Sequence, residues 1–167
     1  MILALMLLAV SAATAEPAAH QMTTVILVRH AEKAPATAMS NDVPLSDAGT
    51  ARAKELARVL ANTPIDAIYT TQYQRTKQTA APLAAERHLE PIVADPAAMA
   101  NIIRTKHAGQ TVLVVGHSNT TPDVIRALGV ASPPAIGDNE YDDLFIVTLA
   151  PGAAPKLVTL RYGAAQR

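Results

Sequence analysis

Three short, mostly apolar runs limit the fold of this chain more strongly than any other feature of its sequence. They cover residues 24–28 (TVILV), 65–69 (IDAIY) and 111–115 (TVLVV). Short runs rich in Val and Ile are typical of strands that are buried on both faces of a parallel sheet. Helix-like segments lie between the runs, and this alternation predicts an α/β fold.

The clearest helix is predicted for residues 46–62, where Ser46 stands in the position of an N-cap. Its apolar positions recur at helical spacing and are Ala53, Leu56, Ala57 and Leu60. Residues 76–88 are also helix-like. Pro82 lies within them, and because proline lacks a backbone donor it predicts a kink or a restart of the helix.

The remaining elements complete the predicted architecture. An Asp-Pro pair at Asp95 predicts the start of one helix, which runs to about His107, and a Thr-Pro pair at Thr121 predicts the start of another, which ends at Gly129. Residues 144–149 and 156–162 predict an antiparallel hairpin at the sheet edge. The expected fold is a three-layer sandwich with a mostly parallel central sheet, helices on both faces and an antiparallel C-terminal hairpin.

The N-terminus resembles a secretory signal peptide. Residues 1–10 (MILALMLLAV) are wholly apolar and lead into SAATA, an A-x-A cleavage pattern that ends at Ala15. We therefore expect residues 1–15 to be removed, residues 16–167 to form one domain, and the protein to be exported, as a periplasmic or secreted protein. The alternative is a buried N-terminal strand or helix. The run is too short to cross a bilayer, so no stable membrane anchor is expected.

Composition excludes several classes of function. Fourteen Lys and Arg balance fourteen Asp and Glu, and aromatic residues make up only 3% of the chain. Neither a basic surface nor a stacking platform for nucleic acid is therefore expected. The chain has no cysteine, which excludes disulfides, thiolate zinc sites and cysteine nucleophiles.

Basic side chains follow the predicted parallel strands. Arg29 and His30 come directly after the first strand, His117 follows the third, and the segment after the second strand leads to Arg75. Ligands of open α/β sheets bind beyond the carboxyl ends of the strands, so these four side chains are expected to converge. Guanidinium groups match phosphate oxygens, and the predicted helix after His117 adds backbone donors. A phosphate group is the expected ligand.

Four ordered motifs resemble those of the histidine phosphatase superfamily, in its phosphoglycerate-mutase-like branch. They are LVRHAEK, LSDAGTARAKELA, YTTQYQRTKQTAAPLA and VVGHSNT, and the resemblance covers residues 24–149. It implies that His30 is the nucleophile of a phosphohistidine mechanism, with Arg29, Arg75 and His117 around the phosphoryl group. Ser118, next to His117, is placed in the same phosphate pocket. The resemblance implies no metal and no cofactor.

The general acid that protonates the leaving group is the least defined part of this expectation. The acid phosphatase branch has an aspartate directly after the second histidine, where this chain has Ser118. In the mutase-like branch a glutamate lies after the second arginine segment; Asp95 is nearest to that point, although it also suits an N-cap. Glu32 is the other candidate, although it can equally pair with Lys33 or Arg29. Some small members of the family, the phosphohistidine phosphatases, manage without such an acid.

The short connections predict an open pocket and a phosphatase, since mutases of this family carry long insertions. The loop 34–44, which contains Asp42, is the expected lid or a plain connector, and Tyr141 and Asp142 are candidates for the pocket rim. The expected substrate is a small-molecule or surface-linked phosphomonoester. The sequence does not indicate an oligomeric state.

Three rival interpretations remain. GHSNT resembles a serine nucleophile elbow, but no histidine follows Ser118, so a Ser-Asp-His triad cannot be completed in that order. A metallophosphatase using His30 and His117 lacks the usual ligand spacing. The last is an exported phosphate- or phospholigand-binding module on a catalytically weak phosphatase scaffold.

Overall fold

The computed structural model of the chain describes residues 22–36 and 40–165. The described residues form six strands: β1 Thr23–Arg29, β2 Ala67–Thr70, β3 Ile92–Val93, β4 Thr111–Gly116, β5 Asp143–Leu149 and β6 Lys156–Arg161. They also form four helices: α1 Asp47–Val59, α2 Gln74–Arg87, α3 Pro96–Lys106 and α4 Thr120–Ala127. The predicted signal peptide lies outside the described residues. No helix in the described ranges is long and apolar enough to cross a bilayer.

The six strands form one sheet in the order β3-β2-β4-β1-β5-β6. β3, β2, β4 and β1 are parallel, whereas β5 is antiparallel to β1 and β6 is antiparallel to β5. The register places Arg29 at the end of β1 opposite Gly116 at the end of β4. The mostly parallel sheet and its antiparallel C-terminal hairpin are confirmed. The carboxyl ends of β1, β2 and β4 therefore lie side by side.

Two apolar layers cover the sheet, which confirms the three-layer architecture. On one face α3 and α4 pack Met99, Ile103, Ile125 and Leu128 against β1 and β4. On the other face α1 and α2 contribute Leu56, Ala57, Leu60, Leu83 and Ala84. Because helices cover both faces, the central strands are buried throughout, and this explains their continuous Val, Ile and Leu runs.

Helix α1 begins where the sequence predicts. The hydroxyl oxygen of Ser46 accepts a hydrogen bond from the Gly49 N–H at 3.1 Å, as an N-cap does. Gly49 is buried against the backbone of Glu32, and a Cβ there would overlap the Glu32 carbonyl oxygen. Glycine at this position thus lets the first turn of α1 pack directly on the segment that follows β1.

Two of the predicted boundaries are shifted. β2 begins at Ala67 and not at Ile65. At Asp66, just before the strand, the side-chain carboxylate accepts the Thr111 N–H at 2.7 Å, so this N–H is not bonded to a backbone carbonyl of a regular strand pair. Helix α4 begins at Thr120, one residue before the predicted cap, because the hydroxyl of Thr120 already accepts the His117 N–H at 3.0 Å. The end of α4 at Gly129, whose φ is +96°, is as predicted.

Helix α2 does not restart at Pro82, although a restart is one of the two outcomes that the sequence predicts there. It runs from Gln74 to Arg87 without a restart, although Pro82 lies inside it. The carbonyl that Pro82 leaves without a helical donor belongs to Gln78, an exposed residue. Buried side chains on both sides of the proline, including Thr79 and Leu83, hold the two halves of the helix on the core. Packing therefore outweighs the lost hydrogen bond.

Candidate active site

The four basic side chains predicted to converge lie together at the carboxyl edge of the sheet. His30 and His117 follow the paired strands β1 and β4, and their ring centroids are 5.2 Å apart. Two tyrosines connect them to the arginines through ring contacts. The side chains form a continuous arc in the order Arg29, Tyr141, His30, His117, Tyr73, Arg75.

His30 is held in one tautomer by its own loop. Its ring is buried, and Nδ1 lies 2.7 Å from the carbonyl oxygen of Ala31. A carbonyl oxygen can only accept, so Nδ1 carries the proton and Nε2 carries a lone pair. The Ala31 N–H donates in turn to the hydroxyl of Thr79 on α2, at 2.9 Å. The loop that fixes the ring is thus itself fixed by a helix.

The environment of His30 keeps it neutral. Burial is the largest cause and lowers its pKa to about 3 from the usual 6.5, and the nearby His117 and Arg29 lower it further, against the opposing effect of the Ala31 hydrogen bond. A neutral imidazole with a free lone pair is a nucleophile. The His30 ring is therefore neutral between pH 5 and 8.

Arg29 is clamped by the loop that precedes β5. Its guanidinium stacks on the Tyr141 ring at 4.1 Å from the centroid. Its Nη1 donates to the carbonyl oxygens of Gly137, Asp138 and Glu140 at 2.8, 2.9 and 3.1 Å. Three backbone carbonyls and one ring thus orient the guanidinium, and its Nε is buried without a partner among the described residues.

Arg75 lies in the first turn of α2, on the opposite side of the histidine pair. Its guanidinium stacks on Tyr73 at 4.3 Å from the ring centroid, and its Nη1 donates to the carbonyl oxygen of Asn41 at 3.4 Å. Its Nε is also buried and has no partner in the described part of the chain. Buried guanidinium nitrogens with no protein partner are the expected donors for an anion.

His117 lies between His30 and Tyr73 in the arc. Its ring is edge-on to Tyr73, with centroids 5.3 Å apart, and its Nε2 is buried with no partner within residues 22–36 and 40–165. Burial, Arg75 and Arg29 lower its pKa to about 4. Before an anion binds, the His117 ring is therefore neutral near pH 7.

The lowered pKa values of His30 and His117 predict how stability depends on pH. In the unfolded chain both rings take up a proton near pH 6.5, whereas in the folded protein they do so only near 3 and 4. The unfolded state binds more protons in between. The free energy of unfolding should therefore fall as the pH drops below about 6.5, by at most about 1.4 kcal/mol per pH unit for each ring.

Urea unfolding at neutral pH and near pH 5 measures this fall, and a His117→Asn variant provides the control. The variant removes one of the two rings, so its unfolding free energy should depend less steeply on pH than that of the unmodified chain. Equal slopes for the two proteins would show that His117 is not held neutral by its surroundings.

Both candidate general acids already have a structural contact. Asp95 is exposed and caps α3, accepting the Ala97 N–H at 3.0 Å. Glu32 lies two residues after His30, and Arg52 of α1 donates to both of its carboxylate oxygens at 2.9 to 3.1 Å. The sequence suggested Lys33 or Arg29 as the partner of Glu32 and missed Arg52.

The other predicted site residues lie around the arc. Ser118 is half-buried beside His117. Asp42 accepts the N–H of Gln74 at 2.8 Å, which places part of the loop 34–44 next to the start of α2; residues 37–39 of that loop lie outside the described ranges. Asp142 is buried and paired with Arg161, so it does not line the rim, whereas Tyr141 does contact the site.

Three contributions to the site are not predicted from the sequence. They are Tyr73, Thr79 and the carbonyls of the loop that clamps Arg29. Tyr73 offered the only usable signal, because it lies two residues before Arg75 in a chain that contains just four tyrosines. The carbonyl oxygens that hold Arg29 are placed by the backbone conformation of residues 137–140, and the side chains of these residues do not indicate that conformation.

An open cavity of about 370 Å³ adjoins Arg75 and His117. The residues that line it are Thr71, Gln72, Tyr73, Arg75, Pro96, His117, Asn119 and Thr120. Its volume is near the lower end of the range for small-molecule sites. Among the described residues, no cluster of three His, Asp or Glu side chains is arranged to hold a metal ion.

Solved structures share this fold. The protein histidine phosphatase SixA in complex with tungstate has a TM-score of 0.70 at 19% identity, covering 83% of this chain and 96% of SixA. A SixA protein of Agrobacterium tumefaciens has a TM-score of 0.64 at 21% identity over 85% of this chain and 98% of its own. A mycobacterial glucosyl-3-phosphoglycerate phosphatase has a TM-score of 0.63 at 12% identity, covering 87% of this chain and 100% of its own. No curated protein matches the sequence.

The sequence itself matches a family model. Residues 25–98 match branch 1 of the histidine phosphatase superfamily, and this region includes Arg29, His30 and Arg75. His117 lies outside the matched residues, yet the structure brings it to 5.2 Å from His30 between ring centroids. This chain is thus similar to the histidine phosphatase superfamily in the sequence of residues 25–98, and it shares its fold with solved phosphatases.

Proposed function

We propose that the protein is a metal-independent phosphatase that hydrolyses phosphomonoesters through a phosphohistidine intermediate on His30. The observation that carries this proposal is a buried, neutral His30 whose Nδ1–H is fixed on Ala31, leaving Nε2 as the nucleophilic atom. The match of residues 25–98 to the histidine phosphatase superfamily and the phosphatases with the same fold support the reaction class. The residue roles come from the geometry of this chain.

The donors around His30 suit a phosphoryl group. Buried nitrogens of Arg29, Arg75 and His117 have no hydrogen-bond partner among the described residues. The Arg29 and Arg75 guanidinium groups supply two positive charges, and both are held in place by stacking on a tyrosine ring. Fixed donors of this kind stabilise the negative charge on phosphoryl oxygens during transfer. Ser118, beside His117, is proposed as a further contact.

The proposed reaction has two displacements. In the first, the lone pair of His30 Nε2 attacks phosphorus and the bond from phosphorus to the leaving oxygen breaks, with its electron pair going to that oxygen. In the second, water attacks phosphorus and passes a proton to the bulk solvent, and the P–N bond breaks so that its electron pair returns to Nε2. Nδ1–H donates to Ala31 throughout and stabilises the charge on the phosphorylated ring.

No described carboxyl group is assigned to protonate the leaving group. Asp95 and Glu32 are the candidates, and each is engaged by a neighbour, Asp95 as a helix cap and Glu32 by Arg52. We therefore propose that the enzyme acts best on esters whose leaving oxygen is stable as an anion, such as phenolates. Either carboxyl group would have to give up its present contact to act as an acid.

Hydrolysis of 4-nitrophenyl phosphate in the presence of excess chelator tests the proposed activity. We expect turnover by the purified chain that the chelator does not reduce, because no step requires a metal. Activity that disappears with chelator and returns with a divalent cation would favour a metallophosphatase. Binding of inorganic phosphate with no turnover of any ester would instead support the binding module.

Export is also proposed, on the apolar run of residues 1–10 and the A-x-A pattern that follows it. An exported phosphatase meets phosphorylated small molecules and phosphoryl groups linked to the cell surface. A balanced net charge gives no attraction to nucleic acid, so these are the substrate classes we propose.

A further inference from the structure

The cavity beside Arg75 and His117 has a lining that restricts what can be attached to the phosphoryl group. Arg75 and His117 line it, and each has a buried nitrogen with no partner in the described part of the chain. The exposed Gln72 and Asn119 and the half-buried Tyr73 form its outer part. This inference rests on the proposed function, because it concerns the group that leaves from the phosphoryl group held by the two basic residues.

The outer lining carries no charge. Among the described residues that line the cavity, Arg75 is the one charged side chain, and the proposed function commits it to the phosphoryl oxygens. A leaving group with its own carboxylate would find no second cation among these residues, and it would exchange part of its hydration for contacts with uncharged groups, which is unfavourable. The amides of Gln72 and Asn119 instead suit neutral polar groups, as each offers both donors and an acceptor.

Tyr73 supplies a flat surface of fixed orientation. One face of its ring is covered by the Arg75 guanidinium, at 4.3 Å from the centroid, and the ring is edge-on to His117. Aromatic rings pair with one another in edge-to-face or offset-stacked arrangements. The volume of about 370 Å³ is enough for a phosphoryl group and about one ring, and too small for an extended substrate.

We propose that Tyr73, Gln72 and Asn119 form a leaving-group subsite for a single uncharged aromatic ring, so that aryl phosphomonoesters are preferred over acidic ones. Tyr73 thus has two contacts, one with Arg75 and one with the leaving group. The two can be separated because the Arg75 contact affects every phosphorylated ligand equally, whereas the ring contact affects only aromatic ones.

Binding of three phosphonates by the unmodified chain, measured by titration calorimetry, tests this subsite without requiring turnover. Phenylphosphonate, methylphosphonate and 4-carboxyphenylphosphonate share the charged group and differ in the part that enters the cavity. We expect phenylphosphonate to bind about tenfold more tightly than methylphosphonate. The carboxylated ring should lose most of that advantage.

Tyr73→Leu should reduce the ratio of phenyl to methyl affinity to about one, whereas Tyr73→Phe should keep it. A ratio that stays unchanged in Tyr73→Leu, or equal binding of the two ligands by the unmodified chain, would overturn the subsite. Phosphonate discrimination without any ester hydrolysis would contradict the proposed function and leave the subsite standing. Ester hydrolysis without discrimination between the phosphonates would overturn the subsite and leave the proposed function standing.

Discussion

Replacing His30 with alanine should lower kcat for 4-nitrophenyl phosphate by at least about 10³-fold, because the variant has no atom that can form the phosphoryl-enzyme bond. Arg29, Arg75 and His117 remain in the variant and still bind phosphate. We therefore expect inorganic phosphate to bind the variant within about tenfold of its affinity for the unmodified chain, as the loss of one ring contact predicts. Loss of turnover with retained binding separates the nucleophile from the binding groups.

The control for His30→Ala is His88→Asn. His88 is exposed at the end of α2 in the left-handed conformation, with φ of +54°, which asparagine also tolerates. Its removal should leave kcat unchanged. Circular dichroism and thermal unfolding establish that both variants are folded. If folded His30→Ala hydrolysed the ester at the rate of His88→Asn, the phosphohistidine mechanism would be wrong.

The place of Tyr73, which we propose contacts the leaving group, follows from the order of the strands in the sheet. The sheet order places β4 between β1 and β2, so His117 is flanked by residues that follow β1 on one side and by the start of α2 on the other. Arg29 and Arg75 then lie on either side of the histidine pair, where we propose that the phosphoryl group binds. What remains for the rest of the substrate is the neutral part of the cavity.

Much of this arrangement could be predicted because its signals are local. Ser46 and Asp95 are caps that are recognisable from their own position before a helix, and both cap as predicted. The convergence of Arg29, His30 and His117 follows from a rule of parallel sheets that requires only the strand ends. Sequence periodicity and strand ends thus define the fold and the inner part of the candidate site.

The features that could not be predicted depend on residues far apart in the chain. Arg29 is oriented by carbonyls more than a hundred positions away, and a carbonyl is present in every residue. Arg52 was recognised only as part of a motif, although its partners are Glu32 and the C-terminal segment. Such contacts are set by tertiary packing, which the periodicity of a single sequence does not encode.

Arg52 is the buried residue with the most hydrogen bonds among these long-range contacts. Its side chain is 3% exposed, and it donates three hydrogen bonds to the Glu32 carboxylate. It also donates to the carbonyl oxygens of Tyr162 and Ala164, both at 2.9 Å. One guanidinium therefore joins helix α1, the segment that follows His30 and the residues that follow β6.

Arg52→Met should lower the free energy of unfolding by about 3 kcal/mol, because it leaves a largely buried carboxylate and two carbonyls without this donor. Arg58→Met is the matched control: Arg58 lies on the same helix and pairs with Glu55, but its side chain is 71% exposed, so solvent screens the pair and a much smaller change is expected. Adding Glu32→Leu to Arg52→Met should restore part of the lost stability, since the carboxylate that has lost the Arg52 guanidinium is then removed as well. Urea unfolding of the four proteins at pH 7 gives these differences, and equal losses for Arg52→Met and Arg58→Met would show that the buried pair does not hold the three segments together.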